Sequence, residues 1–235
     1  MNINIYDVSK KAGVSIATVS RVLNGNTRVS EKTRDKVINA MKELDYTPNV
    51  FARGLGLNTM KTIGIMCIDS SDIYLANAVY YLEQELRKYN YDSILCCTGK
   101  DYNNKKNYLE LLLSKRVDGI ILAGSQFVEN TSKHNNDYII NAAKDVPIVL
   151  VNGYLDADNI YSVMCNDEEA VYNATKLLIN NSHRNIVYLY TSTSYSGMNK
   201  YRGYLKAINE AGITLPDEFH HLCGKNISHA RDYLT

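Results

Sequence analysis

The 235-residue chain has no long hydrophobic run; its longest apolar stretches, such as Pro147 to Val151, fall far short of the roughly 20 residues that cross a bilayer. Its first ten residues alternate polar and apolar and lack the continuous apolar core of a secretion signal. Membrane insertion and secretion are therefore not expected. Cysteine is sparse and odd in number: five thiols, without metal-type spacing and without a disulfide framework. Cys67, Cys96, Cys97 and Cys165 sit in short apolar, β-branched runs and read as buried thiols, which fits a reducing cytoplasm. Also missing are a phosphate loop, a nucleophile elbow and a zinc-protease motif, so neither an enzyme nor a cofactor is expected. His220, His221, Cys223 and His229 crowd one stretch, but their spacing matches no standard ligand set and no metal is expected. No repeat at a fixed period is present.

Net charge is nearly absent too, at +1, but it is unevenly spread. Residues 1–62 hold ten Lys and Arg against five Asp and Glu, whereas residues 63–235 hold sixteen against twenty. A basic N-terminal module on a mildly acidic body implies that the first part meets a polyanion. With 45% hydrophobic and 22% charged residues, the chain is a folded protein of one to two domains.

The first 46 residues read as three short helices. Asn4 caps the first, with Asp7 as its capping-box partner, and Gly13 ends it. Ser15 opens a second that stops at Asn24-Gly25, and Ser30 opens a third with an apolar stripe of Val37, Ile38, Met41 and Leu44. From Thr62 onward, β-type runs (62–68, 93–97, 119–122, 148–151, 162–164, 186–190, 219–222) alternate with helical segments (73–89, 104–115, 136–144, 168–180, 199–211). Such alternation predicts parallel strands covered by helices.

In the second helix Val19, Val22 and Leu23 share one side, while Ala17, Ser20, Arg21 and Asn24 occupy the other. A helix of this kind can lie in the DNA major groove, with Arg21 donating two hydrogen bonds to a guanine. Ser15, Thr18 and Asn24 suit phosphate oxygens, and Ile16 or Ala17 suits a thymine methyl. On spacing alone, a plain helical hairpin with a solvated face stands beside this reading.

The segments Ile5-Tyr6-Asp7-Val8-Ser9, Ala12-Gly13-Val14-Ser15 and Thr18-Val19-Ser20-Arg21-Val22-Leu23-Asn24-Gly25 closely resemble the headpiece of the lactose-repressor (LacI/GalR) family of transcription regulators. Val29-Ser30 and Tyr46-Thr47-Pro48-Asn49 continue the match. The resemblance implies an all-α helix-turn-helix headpiece, a homodimer on a pseudo-palindromic operator in double-stranded DNA, and a body that responds to a small molecule. It makes Ile16, Ala17 and Arg21 base-reading residues and Ser15, Thr18, Ser20, Asn24, Ser30 and Thr33 backbone-contacting ones. It also implies a hinge, in which Asn49 and Ala52 contact DNA and Leu55 wedges between base pairs of the minor groove. Gly54 and Gly56 do not form a dinucleotide loop, since they follow a helix and lack a third glycine.

Lys61-Thr62-Ile63-Gly64-Ile65, Val117-Asp118-Gly119-Ile120-Ile121 and Pro147–Val151 resemble the same family's effector domain, an α/β fold like that of the periplasmic binding proteins. The resemblance divides the chain into a headpiece (1–47), a hinge (48–61), a first subdomain (62–161) and a partial second one (162–235), truncated relative to the family. Tyr74, Leu75, Asn152 and Lys200 match its effector pocket, where a sugar or related metabolite is expected. Lys200 replaces a common arginine and loses that residue's planar two-donor fork. His183-Arg184 reads as a structural turn.

The function implied is a cytoplasmic repressor of carbohydrate-metabolism genes. The alternative is a body that no longer senses effector, on a protein that binds DNA constitutively or not at all. A periplasmic sugar-binding protein is disfavoured by the basic headpiece and the missing signal. Each glycine in a helix interior costs about 0.8–1 kcal/mol relative to alanine, so a hinge that becomes helical on DNA should gain from Gly54→Ala. Fluorescence anisotropy on an operator duplex should show binding tightened about fivefold for each of the two hinges of a dimer; unchanged or weaker binding would refute the helical hinge.

Overall fold

The caps read from the sequence set the first three helices. Asn4 accepts from the Tyr6 amide and Asp7 accepts from the Asn4 amide, each at 2.9 Å, closing the capping box of α1 (Ile5–Ala12). Gly13 ends α1 at φ +65°, a left-handed conformation that glycine adopts without a Cβ clash. Ser15 opens α2 (Ile16–Leu23) and Ser30 opens α3 (Glu31–Glu43). Each accepts from the amide three residues on, at 3.2 and 3.3 Å. Val8, Val19, Val22, Val37 and Ala40 form the core between the three helices. Ile38, expected in the α3 stripe, is instead 38% exposed and Ala40 takes the inward place. Positions 37, 40, 41 and 44 follow one helical face, and the step from 37 to 38 leaves it.

The computed structural model describes residues 3–47, 59–128, 136–223 and 227–234. The hinge residues Asn49, Ala52 and Leu55, with Gly54 and Gly56, lie outside the described residues. The chain divides into two compact units, Met1–Thr62 with Arg116–Asp118, and the remainder. Residues 116–118 join the first because the Asp118 carboxylate accepts the Met60 and Thr62 amides at 3.0 and 2.9 Å, bracketing Lys61 at φ +51°.

The larger unit alternates strand and helix as expected: β1 (Thr62–Cys67, its first residue in the smaller unit), α4 (Ile73–Lys88), β2 (Asp92–Cys97), α5 (Tyr102–Ser114), β3 (Gly119–Ala123), α6 (Asp137–Ala142), β4 (Ile148–Val151) and β5 (Ile160–Val163). The sheet order is β2-β1-β3-β4-β5, and β1–β3, β3–β4 and β4–β5 pair in parallel, Ile65 opposite Ile121 and Ile121 opposite Val149. The inner strands β1 and β3 are almost wholly buried, whereas the edge strands β2 and β5 are largely exposed. Covering helices leave inner parallel strands no solvent face, which is why these read as unbroken apolar runs.

The chain then continues as α7 (Asp167–Asn180), β6 (Tyr188–Tyr190), α8 (Tyr195–Glu210), β7 (His220–Leu222) and α9 (Ile227–Leu234), with β6 and β7 in a second, two-stranded parallel sheet. Ile179, Ile186, Tyr204, Ala207 and Ile208 form its core. Two expected limits move. The boundary set between 161 and 162 falls inside β5, which stays paired to β4 as far as Val163. Helix α8 starts at Tyr195 rather than Asn199, because Ser194 caps it.

Helix α8 lies against α7 at Gly203, where a Cβ would come within 2.1 Å of the Glu168 carbonyl oxygen. That atom is backbone and cannot swing aside. Gly203→Ala should therefore cost about 1–3 kcal/mol in urea unfolding, as overpacked cores do. Asn209→Ala, on the exposed side of α8, should stay within about 0.5 kcal/mol of the parent.

Candidate functional site

Burial of Val19 and Val22 turns the opposite side of α2 outward. Ala17 and Arg21 are exposed, Ile16 is 38% exposed, and Thr18, Ser20 and Asn24 are half-buried. At the start of the helix, the Ser15 and Thr18 hydroxyls lie 2.9 Å apart while Ser15 Oγ also accepts the Thr18 amide. Ser30 and Thr33 repeat the arrangement at the start of α3, again at 2.9 Å. Each pair uses one hydroxyl proton internally and keeps one to donate outward, beside the positive end of a helix dipole. Asn24 Oδ1 is buried without a hydrogen-bond partner among the described residues.

The second site forms in the larger unit, where the strands end. In a parallel sheet of order 2-1-3-4-5, the chain reverses direction between β1 and β3, and a crevice opens at the carboxyl ends. There the structure has a cavity of about 480 Å³, within the range of small-molecule sites. Ile68 follows β1, Gly124 to Gln126 follow β3, Asn152 follows β4, and Thr191 and Ser192 follow β6.

All four residues read from the sequence as effector contacts line this cavity. Asp72 caps α4 by accepting from the Tyr74 and Leu75 amides, which sets both residues at its mouth. Tyr74 is 54% exposed and its hydroxyl accepts from Asn152 Nδ2 at 2.6 Å. Asn152 makes this reach from a left-handed backbone, φ +60°, which asparagine tolerates better than most residues. Leu75 is buried with Cys67 and Ala123 and supplies apolar floor. Lys200 is the one cation among the described lining residues, and its Nζ lies 3.7 Å from Asp167, which also accepts the Ser196 hydroxyl. Arg202, two residues on, could supply the fork that Lys200 lacks, but it pairs with Glu168 at 3.5 Å and does not line the cavity. Arg184 donates to the Ile179 carbonyl at 2.9 Å, the structural role read for that turn.

Sequence reasoning missed the hydroxyl-rich wall. Ser125 Oγ donates to Ser194 Oγ at 2.9 Å across the cavity, and Gln126, Ser192 and Ser196 also face it. The signal was the run Thr191-Ser192-Thr193-Ser194-Tyr195-Ser196 directly after a strand, where the carboxyl-end rule places ligand contacts. Tyr188 and Tyr190 line the same wall and stack with Tyr201 at 5.9 and 5.4 Å between ring centroids. Burial, and behind it Asp167 and Tyr190, pushes the Tyr188 phenol up, so it stays neutral. Of the histidines weighed as ligands, His220 Nδ1 lies 3.1 Å from the Tyr201 hydroxyl and His221 stacks on Tyr233.

Residues 4–49 match the family of bacterial regulatory proteins of the lacI type, and residues 60–235 match the periplasmic binding proteins and sugar binding domain of the same family. An HTH-type transcriptional regulator of Lachnoclostridium phytofermentans is 58% identical over 232 residues, covering 99% of this chain and 69% of the relative. The HTH-type transcriptional repressor PurR of Mannheimia succiniciproducens is 34% identical over 217 residues, covering 92% of this chain and 63% of its own. A crystal structure of the Lac repressor dimer bound to operator and the anti-inducer ONPF superimposes with a TM-score of 0.76 at 25% identity, covering 91% of this chain and 64% of that one. The chain thus spans between 63% and 69% of the length of these proteins.

The Ser15 cap can be tested apart from any ligand. Ser15→Ala should lower the local stability of α2 by about 1 kcal/mol. Hydrogen exchange of the 16–23 amides should quicken about fivefold, while the strand amides of 119–123 stay unchanged.

Proposed function

This chain belongs to the LacI family of bacterial regulatory proteins, and from that premise we propose that it is a sequence-specific DNA-binding regulator, a repressor controlled by a small-molecule effector and not an enzyme. The observation that carries the proposal is the two-sided α2. Its valines are buried on α1 and α3, and its small polar side with Arg21 is exposed. Ile16, Ala17 and Arg21 read base edges in the major groove. Ser15, Thr18, Ser20, Asn24, Ser30 and Thr33 hold phosphates, fixing register without carrying sequence. Asn49 and Ala52 contact the minor groove and Leu55 wedges into it.

The protein acts as a homodimer on a pseudo-palindromic operator, each copy reading a half-site about one helical turn from the other. The working division is a headpiece (1–47), a hinge (48–61), a first α/β subdomain to Val163 and a second from Met164. Among the described residues no helix is long and apolar enough to cross a membrane, and the protein works in the cytoplasm, where the chromosome lies.

Tyr74, Leu75, Asn152 and Lys200 contact the effector, a sugar or related neutral metabolite. Neutrality follows from the cavity's charges: its one cation already has Asp167 at 3.7 Å, so an anion would have to compete with that carboxylate. Apart from the Asp72 carboxylate, which is engaged by the amides at the start of α4, hydroxyl and amide groups cover the remaining polar wall among the described residues, matching a ligand with several hydroxyls. The ligand would touch residues after β1, β3, β4 and β6 at once, so its binding free energy couples to their relative positions and, by linkage, to operator affinity. The genes controlled are those of carbohydrate metabolism.

Selection from a random duplex pool should yield a pseudo-palindrome. On it, Arg21→Ala should cost about 1–3 kcal/mol and relax preference at one base of each half-site. Thr18→Ala should weaken all sequences alike and leave the salt dependence unchanged, since a neutral hydroxyl displaces no counterion. Equal retardation of random and selected duplexes at moderate ionic strength would overturn the proposal.

A further inference from the structure

Cys67 ends β1 and Cys97 ends the neighbouring β2, and their Sγ atoms lie 3.7 Å apart. Cys67 is fully buried, whereas Cys97, read from the sequence as a buried thiol, is exposed, as is Cys165; both lie on or just after an edge strand of the sheet, β2 and β5. Side chains alternate along a strand, so Cys96 points to the opposite face and Cys97 is the one that meets Cys67. The two strands are tied there: the Thr98 amide donates to the Cys67 carbonyl at 2.9 Å and the Gly99 amide to Ile68 at 3.0 Å. These bonds hold the two backbones together, so the sulfurs move relative to each other by side-chain rotation. A disulfide needs about 2.05 Å, and the remaining gap is of the size that side-chain rotation closes.

We propose that Cys67 and Cys97 form a dithiol site for hydroperoxides, closing to a disulfide behind the Leu75 floor of the ligand cavity. Cys97, the accessible sulfur, loses its proton and attacks one oxygen of hydrogen peroxide. An S–O bond forms, the O–O bond breaks, and the departing hydroxide takes up the proton as water, leaving a sulfenic acid. Cys67 then attacks the Cys97 sulfur: the S–S bond forms, the S–O bond breaks, and the Cys67 proton leaves with the hydroxide as a second water. Two thiols thereby give two electrons to one peroxide.

The two sulfurs divide the roles by environment. Burial, with Cys97 beside it, pushes the Cys67 thiol up to about 12, so Cys67 is not the sulfur that meets peroxide. Cys67 also packs on Leu75 and Ala123, and Leu75 with Ile68 lines the cavity. Closing the bond pulls a floor contact toward β2, which places the oxidised state next to the ligand. The site does not depend on the DNA-binding reading.

The test is differential alkylation of the full chain after stoichiometric hydrogen peroxide, with peptide mapping. The expected product is a Cys67–Cys97 linked pair, lighter by two hydrogens and restored by dithiothreitol, with Cys96, Cys165 and Cys223 still alkylated. Cys97→Ser, at an exposed position, should fold normally and leave Cys67 as a thiol. Cys67→Ser should accumulate a dimedone-trapped sulfenic acid at Cys97; should that variant misfold, the Cys97→Ser result stands alone. Retention of both thiols, pairing of Cys96 instead, or overoxidation of Cys97 without linkage would each overturn the proposal.

Discussion

The docking of Val19 and Val22 against α1 and α3 is the contact on which the meaning of α2 depends. An eight-residue helix is too short to hold itself in water, so its shape and its outward side are both borrowed from that apolar contact. Val8, Val19 and Val37 are fully buried, and burying a valine side chain is worth about 1.5–3 kcal/mol. With the valines held inward, the 100° step between residues leaves Ala17 and Arg21 no choice but to face out. The caps act in the same direction. Ser15 and Ser30 satisfy amides that α2 and α3 cannot satisfy themselves, and their paired threonines keep a hydroxyl proton available at each helix start.

In the larger unit the equivalent constraint is strand direction. Because β1, β3 and β4 run parallel, their carboxyl ends meet on one edge, and loops from distant parts of the chain converge there. The cavity is a consequence of topology before it is a consequence of any side chain. What the side chains add is hydrogen-bonding character: an amide at Asn152, hydroxyls at Ser125 and Ser194, and the Tyr188 phenol, kept neutral by burial. A site built to hydrogen-bond a ligand rejects analogues that leave its buried groups unpaired far more strongly than an apolar pocket rejects a missing methylene.

Features governed by local chemistry were legible in the sequence. Every cap in the headpiece was read correctly, since capping involves residues three apart. The inner strands were found because burial on both faces makes them continuous apolar runs, and strand–helix alternation announced parallel pairing. Tyr74, Asn152 and Lys200, some 126 positions apart at the extremes, were brought to one cavity by family resemblance and not by spacing. Illegible were features that only tertiary contact defines. Ile38 looked inward in a list of apolar residues but lies one step off the buried face. Asp118 gave no sign that both its oxygens would take the Met60 and Thr62 amides. The stack of Tyr188, Tyr190, Tyr201 and Tyr204 joins a strand to a helix and has no signature in either alone.

The glycines of α8 show how tertiary contact overrules local propensity. Gly197 and Gly203 each cost the helix about 0.8–1 kcal/mol relative to alanine, and neither needs an unusual backbone angle. Their value lies in what a Cβ would strike: the Ser192 carbonyl oxygen at 2.2 Å from position 197, and the Glu168 carbonyl oxygen at 2.1 Å from position 203. The first bare position lets the loop after β6 fold back over the start of α8, where Ser194 caps the helix and meets Ser125. The second lets α7 lie close enough for Asp167 to reach both Ser196 and Lys200. A sequence scan scores both glycines as helix defects. In the folded chain, the missing methyl groups are what allow a serine-rich loop and an acidic helix start to share one wall of the cavity.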